Sequence, residues 1–270
     1  MRTSHIRVRF DSPMIDLHCH ALPGIDDGPE TIEGSLALMR AARAAGIDTV
    51  VATPHVNSRT PNDASTIAAL TIELNERLTQ EQIDVQVIPG AEIAITHLAE
   101  IDPTELSRLT LGGGGWLLIE PPFTPVAPGL EGLVIGLLRQ GHRVVLAHPE
   151  RCAALQRDRE VVPRLADAGV LMSITAGSLA GRFGSEVRRY ALELARAGLI
   201  HNVTSDAHDT NKRRPGLLEE IEQAKLAPLA DWLTQAVPAA ILSGAEIPDS
   251  PAGALERSRR RRGRRWYQRR

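Results

Sequence analysis

The stretch MIDLHCHALPGIDDGP runs from Met14 to Pro29, and its first seven residues decide how the rest of the chain is read. Met14–Leu17 is a short, mostly apolar run of the length of a buried strand. His18, Cys19 and His20 follow it. Side chains alternate faces along a strand, so the two imidazoles share one face and Cys19 points away. Two imidazoles on one face suit a single divalent cation. Taken alone, such a pair is a weak signal, its ordinary alternative being a polar strand end.

The pattern repeats outward along the chain. Buried strands are expected at Met14–Leu17, Thr49–Ala52, Val85–Ile88, Trp116–Ile119, Val144–Ala147, Val170–Ile174 and Ile200–Val203. Helical periodicity lies between most of them: Pro29–Ala45 ending at Gly46, Asp63–Leu78 after an Asn-Asp start, and Glu186–Ala197 ending at Gly198. Strands separated by helices imply a parallel sheet with crossovers. After successive strands come His18 and His20, then His55, Glu92, Glu120 and His148. Thr175 follows the sixth strand, and Asp206 with His208 the last. An open sheet would scatter these groups along an edge, whereas a closed barrel aims the C-terminal ends of its strands at one place.

Composition narrows the classes. The chain has 270 residues, 43% of them hydrophobic, enough for one large domain with a sizeable core. Only 3% are aromatic, which disfavours a stacking platform for single-stranded nucleic acid. No apolar run approaches a membrane span, and the basic start MRTSHIRVRF lacks the apolar core of a secretory signal. Two cysteines make no disulfide framework, so a cytoplasmic location is expected. The segment Arg257–Arg270 holds nine arginines and no acid; removing those nine charges from the net −2 leaves −11. So acidic a body is a poor partner for nucleic acid and suits carboxylates that hold cations. Three segments are expected: an N-terminal extension over residues 1–13, a main domain over 14–248, and an Arg-rich tail over 249–270.

The candidate ligands are His18, His20, Asp27, His55, Glu92, Glu120, His148, Asp206 and His208. Nine exceed what one ion needs and suit two or three. Without a thiolate among them, the set fits manganese, iron or zinc better than a structural thiolate zinc site. Clustered ions of this kind polarise a phosphoryl oxygen and generate hydroxide near neutral pH, which points to phosphate-ester hydrolysis.

These residues sit in MIDLHCHALPGIDDGP, VATPHVN, IPGAEI, LLIEPP, LAHPERC, ITAGSLAGRFG, TSDAHDTNKRRPG and VPAAILSGAEIP. On them the chain resembles the PHP (polymerase and histidinol phosphatase) superfamily, and within it the CpsB-type bacterial protein-tyrosine phosphatases of capsule and exopolysaccharide systems. The likeness spans about Met14 to Pro248. It implies an α/β fold, a PHP-type distorted (β/α)7 TIM-like barrel with the metals at the C-terminal ends of the strands. It also implies a division of ligands. His18, His20 and Asp206 would hold one ion, with Glu92 bridging to a second completed by Glu120 and His148. Asp27, His55 and His208 would hold a third. Manganese is the metal expected. The implied substrate is an autophosphorylated bacterial tyrosine kinase attached to polysaccharide-export machinery.

Arg151, three residues after His148, is expected beside the metals as a phosphate clamp, its ordinary alternative being a surface salt bridge. Relatives carry a second arginine before a Pro-Pro pair, and either Arg213 or Arg214 matches it. Asp16 reads as a support for the ligands or as a structural strand carboxylate. Thr175 and Ser178 are weaker site candidates. His5, His97, His142 and His201 match no ligand position.

A cysteine-type phosphatase needs a Cys-x5-Arg loop. Ile25 stands at that offset from Cys19 and Asp158 from Cys152, so direct attack by a metal-activated hydroxide is expected instead. Two rivals share the scaffold: a small-molecule phosphatase for histidinol phosphate or a nucleotide, and a metal-binding regulator that docks a kinase without catalysis. The tail, with Trp266 and Tyr267 among its arginines, reads as an anchor to an anionic inner-membrane surface or as a solvated end.

Overall fold

The computed structural model describes residues 13–251. The Arg-rich segment 257–270 and residues 1–12 of the expected N-terminal extension lie outside the described residues.

Among the described residues there are nine strands: β1 Met14–Cys19, β2 Ile47–Ala52, β3 His55–Val56, β4 Gln86–Pro89, β5 Glu92–Ala94, β6 Trp116–Glu120, β7 Arg143–Ala147, β8 Leu171–Thr175 and β9 Asn202–Thr204. They pair in parallel as β1-β2-β4 and as β3-β5-β6-β7-β8-β9. The two sheets are parts of one ring. β3 carries on from β2 beyond Thr53-Pro54, and β5 from β4 beyond Gly90-Ala91. Hydrogen bonds from Gly90 N to Ala52 O (2.9 Å) and from Glu92 N to Pro54 O (3.1 Å) continue the ladder across both breaks. The ring closes between β1 and β9, where Asp206 N bonds to His18 O and His20 N to Ala207 O, both at 2.9 Å. The result is a seven-station parallel barrel with its second and third strands bent.

The seven expected strands are all there, with ends shifted by a residue or two. β3 and β5 were not expected, since two or three residues carry no periodicity. The bends have a local cause. Pro54 and Pro89 have no N–H to give to a ladder, which confines proline to strand ends and irregularities. A Cβ on Gly90 would stand 2.8 Å from Val51 Cγ1 and 3.1 Å from Leu111 Cδ2, so glycine lets the bent strand pack closely.

The three expected helices form at Ile32–Ala44, Ala64–Gln80 and Ser185–Ala197. The first starts at Ile32 rather than Pro29, because Thr31 caps it: Oγ1 accepts from Gly34 N at 3.2 Å. Asp63 caps the second through Thr66 N at 2.7 Å. Gly198, at φ +73°, ends the third in the left-handed region. Val50, Val51, Leu117, Leu118, Val144 and Val145 are fully buried, as in strands covered on both faces.

Candidate metal centre

All nine candidate ligands come together at the C-terminal end of the barrel. Glu92 lies at the middle. Its Oε2 is 3.2 Å from His18 Nε2, 3.3 Å from His20 Nε2 and 3.1 Å from His55 Nδ1, while Oε1 is 2.7 Å from His148 Nε2. A carboxylate facing separate imidazoles with separate oxygens has the disposition of a bridging ligand. Asp206 Oδ1 lies 3.5 Å from both His18 Nε2 and His20 Nε2. Asp27 Oδ1 is 3.1 Å from His208 Nε2 and 3.5 Å from His55 Nε2. Glu120 Oε2 stands 3.9 Å from His55 Nδ1. Three groups of ligand atoms are compact enough to share an ion: His18, His20 and Glu92; His55, Glu92 and Glu120; and His20, Asp27, His55 and His208. His20 and His55 thus each stand between two groups, a sharing that sequence spacing does not reveal.

The donors fit cations by an independent criterion. Among the described residues no hydrogen bond reaches Glu92 Oε2, Asp206 Oδ1, His55 Nδ1 or His208 Nε2, although all four are buried. Unpaired buried polar atoms are costly, and these four all belong to the candidate ligands. The electrostatics agree. Burial, then the charge of Glu92, pushes the Glu120 carboxyl up to about 8. Burial also pushes the Glu92 and Asp206 carboxyls up, but the imidazoles around them outweigh it and hold both well below the usual carboxylate range. The His208 ring, its Nε2 3.1 Å from Asp27 Oδ1, likewise holds Asp27 low. Burial lowers His148 to about 4, so it stands as the neutral imidazole that ligation requires. Nitrogen and oxygen donors of this kind suit divalent metal ions.

Arginines flank the ligands. His148 takes a left-handed backbone at φ +32°, and a single turn over Pro149–Arg151 swings Arg151 back over the site, with Arg151 N bonded to His148 O at 2.9 Å. Its guanidinium donates to Asp206 Oδ2. Arg213 Nη2 donates to the same oxygen at 2.7 Å, and its Nη1 lies 3.7 Å from Asp27 Oδ2. Arg214 does not enter the site: its Nη2 is 3.4 Å from the exposed Glu219. The separation follows from the preceding turn, where the Asp209 carboxylate accepts from Asn211 N and Lys212 N at 2.6 Å, and His208 N bonds to Arg213 O at 2.9 Å.

Supporting residues lie behind these groups. Asp26 Oδ2 is 2.7 Å from His20 Nδ1 and accepts from His55 N at 3.1 Å, so it orients two ligands. Asp16 plays a different part: its Oδ1 accepts from His18 N (3.3 Å) and Ser205 N (3.0 Å), clamping β1 to the turn after β9 without touching an imidazole ring. Glu150 is fully buried and accepts from Thr175 N (3.0 Å) and Ser178 Oγ (2.7 Å), so the Thr175 backbone and the Ser178 hydroxyl brace the turn that carries Arg151. Arg151 also lies between two rings, its Cζ 4.4 Å from the Phe183 centroid and 5.1 Å from that of Phe123. Sequence reasoning missed Asp26, Glu150, Phe123 and Phe183. One signal was available: the chain has only three phenylalanines, and two stand in the strand-end motifs LLIEPPF and LAGRFG.

A cavity of about 590 Å3 opens over Glu92, Glu120, His148 and Asp206, with Arg151 and Arg213 on its wall. Guanidinium groups beside such a space, with cations held by the candidate ligands below it, would suit a tetrahedral oxyanion.

Comparison with known proteins agrees with this chemistry. The chain is 39% identical to the tyrosine-protein phosphatase YwqE of Bacillus subtilis (strain 168) over 201 residues, 74% of this chain and 79% of that protein. Its structure superposes with a TM-score of 0.78 and 35% identity on one of the crystal structures of YwqE from Bacillus subtilis and CpsB from Streptococcus pneumoniae, described as metal-dependent tyrosine phosphatases; 88% of this chain and 98% of that one are covered. Histidinol phosphate phosphatase from Lactococcus lactis shares the fold alone, at 12% identity and a TM-score of 0.52, over 81% of this chain and 94% of that one. Residues 14–227 match the family described as capsular polysaccharide synthesis, CpsB/CapC. With its candidate ligands at the strand ends of a bent seven-station barrel, the chain belongs to the CpsB/CapC family.

Proposed function

We propose that the protein is a metal-dependent protein-tyrosine phosphatase that removes phosphate from a bacterial tyrosine kinase controlling capsular or exopolysaccharide synthesis. The observation that carries this reading is the convergence of nine ligand side chains and two guanidinium groups on one cavity. Bound divalent ions, two or three per chain and manganese foremost, supply Lewis acidity to the phosphoryl oxygens and to water.

The chain's own residues do the rest. Asp26 fixes His20 so that its Nε2 faces the centre. Arg151 and Arg213 engage one oxygen of Asp206, which leaves Oδ1 directed at His18 and His20. Turned outward, the same guanidinium groups grip the phosphoryl oxygens and stabilise the charge that grows on them during in-line displacement. A phenolate leaves from a parent acid of pKa about 10, so the demand on a general acid is small. Neither cysteine serves as nucleophile. Cys19 is buried with Sγ directed at Ala207 O (3.5 Å), Cys152 Sγ is 3.2 Å from Pro122 O, and burial pushes both thiols up.

The test is hydrolysis of para-nitrophenyl phosphate, histidinol phosphate and a phosphotyrosine peptide, with chelator and after manganese is restored. The aryl ester and the peptide should be cleaved, lose their turnover in chelator and regain it with manganese. Full activity after complete metal removal, or a preference for histidinol phosphate, defeats the reading.

No helix among the described residues is long and apolar enough to cross a membrane. The kinase substrate puts the work in the cytoplasm at the inner membrane face, and the arginines of 257–270 suit an anionic surface, at about 1 kcal/mol per basic residue. Deleting 257–270 should reduce salt-sensitive sedimentation with anionic vesicles and leave aryl phosphate hydrolysis intact. Equal vesicle binding by both forms rules the anchor out.

A further inference from the structure

Beside the metal centre lies a second, smaller cavity of about 190 Å3, lined by Asn57, Arg59, Thr96, Pro122 and Phe123 among others. It shares Asn57, Arg59, Glu120 and Phe123 with the cavity over the ligands, so the two form one continuous depression. The catalytic reading makes no use of it.

Its walls are unusual in two respects. Phe123 is 51% exposed, a large apolar side chain left open at the edge of a polar site. The ring does not swing freely: it stacks on His148 at 5.5 Å and 16°, and the Arg151 guanidinium lies 5.1 Å from its centroid. Half of a ring held in this way is available to another ring. Among the described residues Arg59 is the only cationic group lining the smaller cavity, and its guanidinium has no ion-pair partner. The acidic group sharing that lining, Glu120, stands 3.9 Å from His55 on the metal side.

The turn that carries Arg59 is set in place. Asn57 Oδ1 accepts from Arg59 N (2.9 Å) and Thr60 N (3.0 Å), and Asn57 N bonds to Thr60 O at 3.1 Å. Asn62 Nδ2 donates to both Ile25 O and His55 O at 2.9 Å, which ties the turn to a metal ligand and to the loop of Asp26 and Asp27. The backbone that carries an unpaired cation is thus held at a fixed place beside the candidate metal centre.

We propose that this smaller cavity is a subsite for the peptide around the phosphotyrosine, with Phe123 against the phenol ring and Arg59 paired to an acidic side chain next to it. The proposal rests on the tyrosine-phosphatase reading and adds a substrate class to it: phosphotyrosine in an acidic sequence. A fixed ring favours an aryl ester through aromatic contact, and an exposed guanidinium adds a charge pair that salt weakens.

The experiment uses the full-length, metal-loaded protein and two phosphotyrosine peptides, one flanked by Asp and Glu, the other by Asn and Gln. The ratio of their kcat/KM values is read at low and high salt. The acidic peptide should be favoured about fivefold at low salt, and the preference should shrink as salt rises. Arg59→Gln should bring the ratio to about one, and Arg59→Lys should restore part of it. Phe123→Leu should raise KM for both peptides by about threefold to tenfold, with Phe123→Tyr close to the wild type. A wild-type ratio of one, or a preference that survives Arg59→Gln, overturns the subsite while leaving the phosphatase reading intact. Failure to hydrolyse either peptide overturns both.

Discussion

Arg151 and Arg213 meet on a single oxygen of Asp206, so each has a structural partner to fall back on when no substrate is present. Removing Arg151 should therefore spare the fold and damage turnover. Arg151→Ala is expected to lower kcat on the order of a hundredfold, the cost of losing one preorganised donor, with normal metal analysis. Arg213→Ala should fall in the same direction and Arg214→Ala should not, because Arg214 points to Glu219. Near-normal turnover in Arg151→Ala would make that residue structural. A different residue carries a pH effect. His201, at the far end of β9, is pushed down to about 4 by burial, and its Nδ1 accepts from Met172 N at 3.0 Å. Below its ordinary value of about 6.5 the unfolded chain takes up a proton that the folded chain refuses. The contribution is full above that pH and is lost as pH falls toward 4, by at most about 3 kcal/mol. Denaturant melts of chelated protein should show His201→Asn, which keeps an acceptor and cannot titrate, losing less stability over that range. Parallel pH curves for the two proteins would refute it. Eight of the nine candidate ligands were legible because each is a charged or imidazole group within a few residues of an apolar run; Asp27, in the Asp-Asp-Gly-Pro stretch, is the exception. Asp26 was not singled out, since a neighbouring carboxylate that orients a ligand looks in sequence like one that binds an ion.

At the scale of the element, the Asp-Asp-Gly-Pro continuation acquires a physical reason. A Cβ on Gly28 would lie 2.5 Å from His20 O, 3.0 Å from Asp26 Oδ1 and 3.1 Å from His20 Cβ. The nearest of these is backbone, which cannot yield cheaply, so a larger residue must displace the loop that presents Asp26 and Asp27. Gly28→Ala should lose about one ion per chain and roughly tenfold in rate, as disturbance of an orienting group usually does. Full metal content and an unchanged rate would show that the loop adapts. Three of the helices and the seven strand stations were readable from periodicity, caps and glycine stops, whereas helices such as Leu130–Arg139 and Val237–Ser243 were not singled out. The breaks within the second and third strands were not. Thr53-Pro54 and Gly90-Ala91 look like strand ends in sequence, and the pieces beyond them, β3 and β5, are too short to show alternation. Yet those pieces begin with His55 and Glu92, so the bends place two ligands that straight strands would carry elsewhere.

For the whole molecule, the centre is a concentration of buried acid that cations relieve. Ions that bind the folded chain and not the unfolded one stabilise it by mass action, about 4 kcal/mol at a thousand times Kd. The metal-loaded protein should melt well above the chelated one, with the difference growing with metal concentration; equal midpoints would mean that the ligands hold no ion under those conditions. The barrel was legible as a whole from the recurrence of site residues after each strand. Its closure was expected from the same recurrence. The seam itself, Asp206 N to His18 O and His20 N to Ala207 O, was not readable, because nothing local says which residues of the first and last strands meet.

That closure has a consequence for the order in which the protein is made. Cys19 and Ala207 are 188 residues apart in the chain and in contact in the fold. Six of the nine candidate ligands, His18 through Glu120, emerge from the ribosome within the first 120 residues, while Asp206 and His208 come last. For most of synthesis β1 presents a free edge bearing two imidazoles that have no completing carboxylate from β9. Such edges invite wrong pairing, and contacts so distant in sequence form slowly. An ion caught early by His18 and His20 commits the chain to nothing. The ion held at the finished site is therefore evidence that translation has passed His208 and the ring has shut.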